Sequence, residues 1–378
     1  MKTQNNTNPL DIETILPFGD TLRPLLLSSC LSKHDLKRIL AKRGIFISDT
    51  DSEFTIPILQ TILFSPKEFE DLKERQKTKE DNVKRNTQAI NWKENISLSD
   101  AIDTVDFDIH EIISSDCANY EVMGVPEFIV EDRNCDEIIL RYKIERTDLT
   151  KNWIEHSTFH DGAIIFTKNN DNEIKIIMEH TCAETKEINE KIKRTLIRNF
   201  KEQEFIEKDT VIDKITASRF STLEKRNEFL MRLLGNDKIN SLTFKEVTNI
   251  EIGPDASKKS LPAKIRWMKD HVKNLILKGN SLHNMDLLKD ELCRKALIIE
   301  DIEAVYDFEF RNVKGTCKIV FGFPKLLKTK DGSIEFQFQI SSISILKTTD
   351  YSKKEIEKHI FSTFDKLKDK LKDELLDK

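Results

Sequence analysis

Twice along this chain the hydrophobic period changes from two to that of an amphipathic helix. Ile138–Arg146 alternates as a strand, and Gly162–Lys168 and Glu173–Glu179 flank Asn-Asn-Asp-Asn at 169–172 as the arms of a hairpin. A helix follows from about Ala183 to Gln203. The second occurrence is Ala304–Phe310, Gly315–Phe323 and Ser333–Leu346, the last alternating through Ile334, Phe336, Phe338 and Ile340, and then a helix from Ser352 to about Leu376. These spacings predict an α+β fold with two antiparallel meander-plus-helix units, at 138–203 and 304–376. Duplication and independent arrival at a common arrangement both remain open.

The N-terminal region has a different character. In Ser32–Leu63, Ser32 is read as an N-cap with Asp35 three residues on, and Leu36, Ile39 and Leu40 recur at helical spacing. Lys33, Lys37, Arg38, Lys42 and Arg43 fill the other faces. Gly44 is placed to end the helix. An apolar link, Ile45-Phe46-Ile47, and a polar loop, Ser48–Glu53, lead to a second helix carrying Ile56, Leu59, Ile62 and Leu63, with Pro57 expected in its first turn. Ser65-Pro66 opens a third helix that includes Glu68, Phe69, Leu72 and Arg75. It runs into KERQKTKEDNVKRN, read as a solvated surface helix fading into a linker. Residues 1–9 are read as disordered.

Between the two repeats, 206–303 reads as mainly helical. Ser221-Thr-Leu-Glu224 is expected to form a capping box, Glu246–Ile252 a short strand, and Leu261–Lys278 a helix. Ile265, Met268, Val272, Leu275 and Ile276 would form the core stripe of that helix, with Trp267 in the core or at an interface. The expected domains are 1–94, 95–205, 206–303 and 304–378. Acidic residues dominate 96–140, where Asp100, Asp103, Asp106, Asp108, Glu111 and Asp116 cluster. They are read as a solvated helix face, or alternatively as a surface for a basic partner.

The net charge of -5 argues against a general basic coat for nucleic acid, though not against a local basic face. None of the six cysteines forms a C-x-x-C pair or a zinc spacing, which fits a reducing cytoplasm. No apolar run approaches the ~20 residues that span a bilayer, and the start lacks a signal-peptide core. A cytoplasmic location is expected.

Motifs with chemistry are sparse. There is no phosphate loop, G-x-G-x-x-G, G-x-S-x-G or H-E-x-x-H. In His180-Thr-Cys-Ala-Glu184-Thr-Lys186, Glu-x-Lys echoes half of a PD-(D/E)xK nuclease signature, with Asp161 or Asp171 as an upstream acid. The competing reading makes Thr181 a helix cap with Glu184 at its third position. His156, His160 and Asp161 have no specific metal spacing. No catalytic residue, metal or cofactor is assigned. The binding residues expected are Lys33, Lys37, Arg38, Lys42 and Arg43 in the first helix, with Lys191, Arg194 and Arg198 on the outer face of the helix from 183. There Ile188, Ile192, Leu196 and Phe200 would form the inner stripe. The alternative for that stripe is plain solvation.

LPFGDTLRPLL at 16–26, SKHDLKRILAKRGIF at 32–46, TIPILQTILFSPKEFEDL at 55–72, HTCAETKEINEKI at 180–192, LPAKIRWMKDHVKNLILKGNSLH at 261–283 and KGTCKIVFGFP at 314–324 together resemble the b subunit of the fourth GAPS-type two-gene antiphage defence system. The resemblance implies a companion a subunit carrying a PD-(D/E)xK nuclease domain, and so a hetero-oligomer whose cutting site lies on the other chain. The N-terminal helix–link–helix is also similar to SAP and HeH modules, which bind DNA through basic helical faces. The expected role is a non-catalytic subunit that binds the nuclease chain and DNA. The alternatives are a metal-dependent nuclease using Glu184 and Lys186, and a purely structural scaffold docking through 96–140.

Overall fold

The computed structural model describes residues 16, 18–26, 33–48, 51–69, 82–93, 96–105, 108–113, 119–130, 136–147, 157–169, 173–235, 241–255, 257–258, 260–329, 332–346 and 351–376. Ser32, residues 1–9, the tract from 70 to 81, the hairpin tip at 170–172, Asp106, Asp116 and His156 lie outside them. The chain divides into two compact units. One is Met1–Asn82 with Asn119–Glu121 and Glu145–His160; the other is Val83–Ala118, Val122–Ile144 and Asp161–Lys378.

The N-terminal stretch of the first unit is a small helical cluster; the rest of its described residues are Asn119 and strand ends at 120–121, 145–147 and 157–160. The cluster holds α1 (Arg23–Leu26), α2 (Lys33–Lys42), α3 (Ser52–Gln60) and a short α4 at 66–69. Leu36, Ile39 and Leu40 of α2 meet Ile56 and Leu59 of α3, with Leu22, Leu26, Phe64 and Phe69 completing the core. Gly44, at φ +73°, turns the chain out of α2. The expected start of α3 is corrected. Asp51 is its N-cap, so Pro57 sits inside the helix rather than in its first turn. Pro57 is exposed, and the helix continues through it to Gln60 because Ile56 and Leu59 on either side are held in the core.

The second unit is built on one antiparallel sheet. Its strands are β1 (Lys84–Asn91), β2 (Tyr120–Met123), β3 (Phe128–Val130), β4 (Glu137–Thr147), β5 (Ser157–Asn169), β6 (Glu173–His180), β7 (Asp213–Lys214), β8 (Leu242–Pro254), β9 (Leu275–Lys278), β10 (Leu297–Phe310), β11 (Val313–Gly322) and β12 (Gln337–Ile345). The order is β2-β4-β5-β6-β1-β12-β11-β10-β8-β9, with β3 on β4 and β7 on β1. β1 is the seam: it pairs with β6 along its whole length and with β12 through Lys84↔Gln339 and Arg85↔Phe338.

Before the hairpin come two short helices, α5 (Leu98–Asp103) and α6 (Ile109–Ile113). Two of the clustered acids serve helix starts here. Ser97 caps α5, accepting the Asp100 N–H and donating its hydroxyl to the Asp100 carboxylate, and the Asp108 carboxylate accepts the His110 N–H at 2.7 Å. Helix α7 (Ala183–Glu202) buries Ile188, Ile192, Leu196 and Phe200. Each such side chain contributes about 1.5–3 kcal/mol. α7 lies on the face of β6 that carries Ile174, Ile176, Met178 and His180, where the Tyr142 hydroxyl donates to the Thr185 carbonyl at 2.8 Å. α8 (Leu223–Leu233) and α13 (Lys353–Leu375) cover the core face of β8–β12, where Phe229, Tyr306, Phe321, Phe338 and Phe364 pack ring to ring. Single turns α9 (Met268–His271), α10 (Asp286–Lys289), α11 (Glu291–Arg294) and α12 (Leu326–Thr329) fill the connections.

Several further expectations are corrected. Residues 206–303 are not mainly helical: β8 runs for 13 residues, and β10 starts at Leu297. Leu261–Lys278 is not a helix. It breaks after one turn at Ala263–Ile265 and another at α9, the backbone becomes extended at Val272, and Leu275–Lys278 pairs with β8. Its apolar residues satisfy both periods over so short a span, and the open edge of β8 decides between them. The caps also move: Thr222, not Ser221, accepts the Lys225 N–H, and Cys182 with Thr185, not Thr181 with Glu184, closes α7. Thr181 instead donates its hydroxyl to the Asp161 carbonyl. Finally, Lys84-Arg-Asn, the end of the expected linker, lies in the seam strand.

Candidate nucleic-acid interface

The polar seam strand explains how the second unit is tied together. Arg85 is buried, pairs with Glu179 and lies 4.2 Å from the centre of the Phe361 ring on α13. Asn86 donates to the Phe336 carbonyl, and Gln88 donates to Glu335 while accepting from Lys193. Thr87 donates to Asp365 of α13. One face of β1 thus engages α7 and the other α13.

The basic residues expected to bind fall into two sets, one in each unit. On α2, Lys37 is half-buried, and Arg38 and Lys42 are exposed. Lys33 lies in the helix, its side chain outside the described residues. Arg43 has a structural partner. Its guanidinium donates to both Glu68 oxygens and to the Leu63 carbonyl, pinning α2 to the start of α4. Glu68 also accepts the Ser65 N–H and hydroxyl. The Arg43 bond and then these Ser65 bonds hold its carboxyl at about 2.

On α7, Arg194 and Arg198 are exposed and Lys191 is half-buried. Lys191 pairs with Glu187 at 3.1 Å and Arg198 with Glu202 at 4.0 Å, both four residues apart. Exposed pairs of this kind contribute ~0.3–0.5 kcal/mol and open readily for a stronger anion. Lys201 is engaged with the Lys208 and Thr210 carbonyls just past the helix. Lys193, not singled out in the sequence, is buried against Gln88 and Glu190.

The Glu-x-Lys pair sits in the first turns of α7, not in a strand. Glu184 is half-buried and Lys186 exposed; residues two apart on a helix do not share a face. His180 is buried at the end of β6. Burial, then Lys186 and Lys84, push its imidazole down to about 3, so it is neutral at physiological pH. His160 is buried with its ring 3.1 Å from the Thr158 hydroxyl. Among the described residues the carboxylates of Glu251, Glu300 and Asp301 form an acidic group whose oxygens lie within 4.8 Å. Glu300 is fixed there by the Lys325 and Leu327 N–H groups at 2.8 and 2.7 Å.

A groove of about 970 Å³ lies in the second unit over β4–β6. Ile139, Ala163 and Ile165 line it, beside Met123 and Val125 at one side and Phe361 of α13 at the other. Val125 is 76% exposed. Among the described residues Cys182, Cys293 and Cys317 are unpaired, and burial pushes the Cys317 thiol up to about 12, leaving it inert. No helix among the described residues is long and apolar enough to cross a membrane.

This is a mixed α+β chain, with a helical N-terminal unit and a large antiparallel sheet that presents basic helix faces. Residues 20–82 match the family model of the GAPS4b protein N-terminal domain. The match ends at Asn82, where the first stretch of the helical unit also ends. It supports the b-subunit resemblance drawn from the sequence and points to a component of an antiphage defence system. A search of curated proteins finds no match.

Proposed function

We propose that this chain is the non-catalytic subunit of a two-gene antiphage defence complex, binding a companion nuclease chain and nucleic acid. The observation that carries the reading is the family match over 20–82, coincident with a compact helical unit. Arg38 and Lys42 on α2, and Arg194 and Arg198 on α7, are exposed and supply phosphate contacts, with Lys33, Lys37 and Lys191 beside them in sequence. Arg43 serves mainly to hold α2 against α4. Affinity built this way is tolerant of sequence and falls steeply with salt.

The test is co-purification with the neighbouring gene product, followed by DNA binding and cleavage. The expected result is a complex that cleaves, an isolated chain that binds without cleaving, and weakened binding by R38E/K42E and R194E/R198E. Cleavage by the isolated chain with Mg²⁺, abolished by Glu184→Ala, would replace this reading with the metal-nuclease one. Unchanged DNA binding by both charge reversals would remove the DNA role from these residues, and a complex that survives high salt and binds DNA only through the companion chain would leave this one a scaffold.

A further inference from the structure

Sequence periodicity puts Trp267 in a core or interface, yet its side chain is 55% exposed. The cause is local. Leu261, Ile265 and Met268 sink into the core, at 4%, 0% and 0% exposure, so Arg266, Trp267 and Lys269 turn outward. The indole N–H donates to the Lys264 carbonyl at 3.0 Å. The ring's polar edge is therefore satisfied and its orientation fixed, which leaves an aromatic face to solvent. Lys264 in turn pairs with Asp290 at 2.9 Å.

The neighbouring chain is rich in basic residues, with acids at its margin: Asp290 holds Lys264, and Glu251, opposite Ile276 of β9, accepts from Asn274. From 264 to 278 the chain carries five lysines and arginines and His271, against Asp270 alone. Arg266, Lys269, His271, Lys273 and Lys278 are all exposed. They lie on α9, in the turns on either side of it and on edge strand β9, all in the second unit. An exposed indole flanked by exposed cations suits a polyanion that also offers flat rings.

We propose that this stretch is a binding site for single-stranded nucleic acid, with Trp267 stacking on an unpaired base and Arg266, Lys269, Lys273 and Lys278 holding the flanking phosphates. The inference deepens the nucleic-acid half of the function proposed above. Strand choice follows from the geometry, because a duplex interior hides its base faces and a single strand can turn one onto the indole.

The experiment measures binding of the full chain to fluorescein-labelled oligothymidylate and to a duplex of equal length, across a salt series. Trp267→Ala should weaken single-strand binding by roughly 5- to 150-fold, Trp267→Phe should keep most of it, and duplex binding should change little. Arg266→Glu with Lys273→Glu should lower the slope of log affinity against log salt by about 0.7 for each lost contact. Wild-type affinity in Trp267→Ala, or no single-strand binding by the wild type, overturns the proposal. Loss of companion-chain binding in Trp267→Ala, with nucleic-acid binding intact, would also overturn it and make the stretch a protein interface. Reversal of charge on α2 and α7 separates the two ideas: if only those variants lose DNA, the proposed function stands and this site falls.

Discussion

Lys175 of β6 and Asp365 of α13 meet at 2.7 Å in the interior of the second unit, and Lys368 closes on the same carboxylate. Asp365 and Lys368 are almost wholly buried. Burial pushes the Asp365 carboxyl up, but Lys368 and then Lys175 outweigh it and hold it well below the usual range. Thr87 of the seam strand adds a hydrogen bond at 3.1 Å. The terminal helix is thus fastened to the seam strand β1 and to β6 beyond it, as well as to its own aromatic core. Asp365→Ala leaves Lys175 and Lys368 to share the half-buried Asp369 carboxylate, at 2.6 and 3.1 Å, and should cost about 1–3 kcal/mol in urea denaturation. Replacing the trio together by Met, Leu and Met should recover most of that loss. A fall of under about 1 kcal/mol in the single variant would show that the network is solvated.

Arg43 and Glu68 supply the matching clamp in the helical unit. Glu68 has its carboxyl depressed to about 2, so the stability it contributes is present above its ordinary value and is lost as pH falls from there toward 2. Arg43→Ala should reduce protection of 20–82 by about 1 kcal/mol in hydrogen exchange at neutral pH and flatten its response to acid. Protection equal to wild type would free Arg43 for a purely binding role.

Asp301 behaves in the opposite sense. Burial, followed by Glu251, Glu300 and Glu303, pushes its carboxyl up to about 7. The folded chain holds that proton more tightly than the unfolded chain does. Stability from this group is therefore fullest at acid pH and is lost as pH rises through about 7. Asp301→Asn should melt about 2–4 °C above wild type at alkaline pH and close to it at acid pH. Equal melting curves across the range would place the charge in water.

Gly162 is demanded by packing rather than by its backbone angle. A Cβ there would stand 2.4 Å from the Tyr142 ring, whose hydroxyl reaches the Thr185 carbonyl and Asn189 on α7. Gly162→Ala should displace the ring and cost about 1–3 kcal/mol, with Gly162→Ala/Tyr142→Phe less than additive. Full additivity would mean that the new methyl is relieved elsewhere.

Legibility followed the periodicity of each segment. α7 reads plainly because Ile188, Ile192, Leu196 and Phe200 recur every four residues within a 20-residue helix. β1 was hidden. Arg85, Asn86, Thr87 and Gln88 look like linker residues, and only their partners Glu179, the Phe336 carbonyl, Asp365 and Glu335 make a central strand of them. The basic residues of α2 and α7 were visible as a pattern. That Arg43 is occupied by Glu68 while Arg38 is exposed was not, since the contact spans 25 positions in the chain.

The amino-acid order by itself set the long amphipathic helices, the alternating strands Glu173–His180 and Val313–Gly322, and the turn at Gly44, because each rests on neighbours within a few residues. Only the tertiary structure decided that Leu275–Lys278 is a strand, that a polar segment is the seam of the sheet, and that Trp267 faces water. Those outcomes depend on hydrogen-bond partners and buried surface supplied from distant parts of the chain, and local propensity is too weak to oppose them.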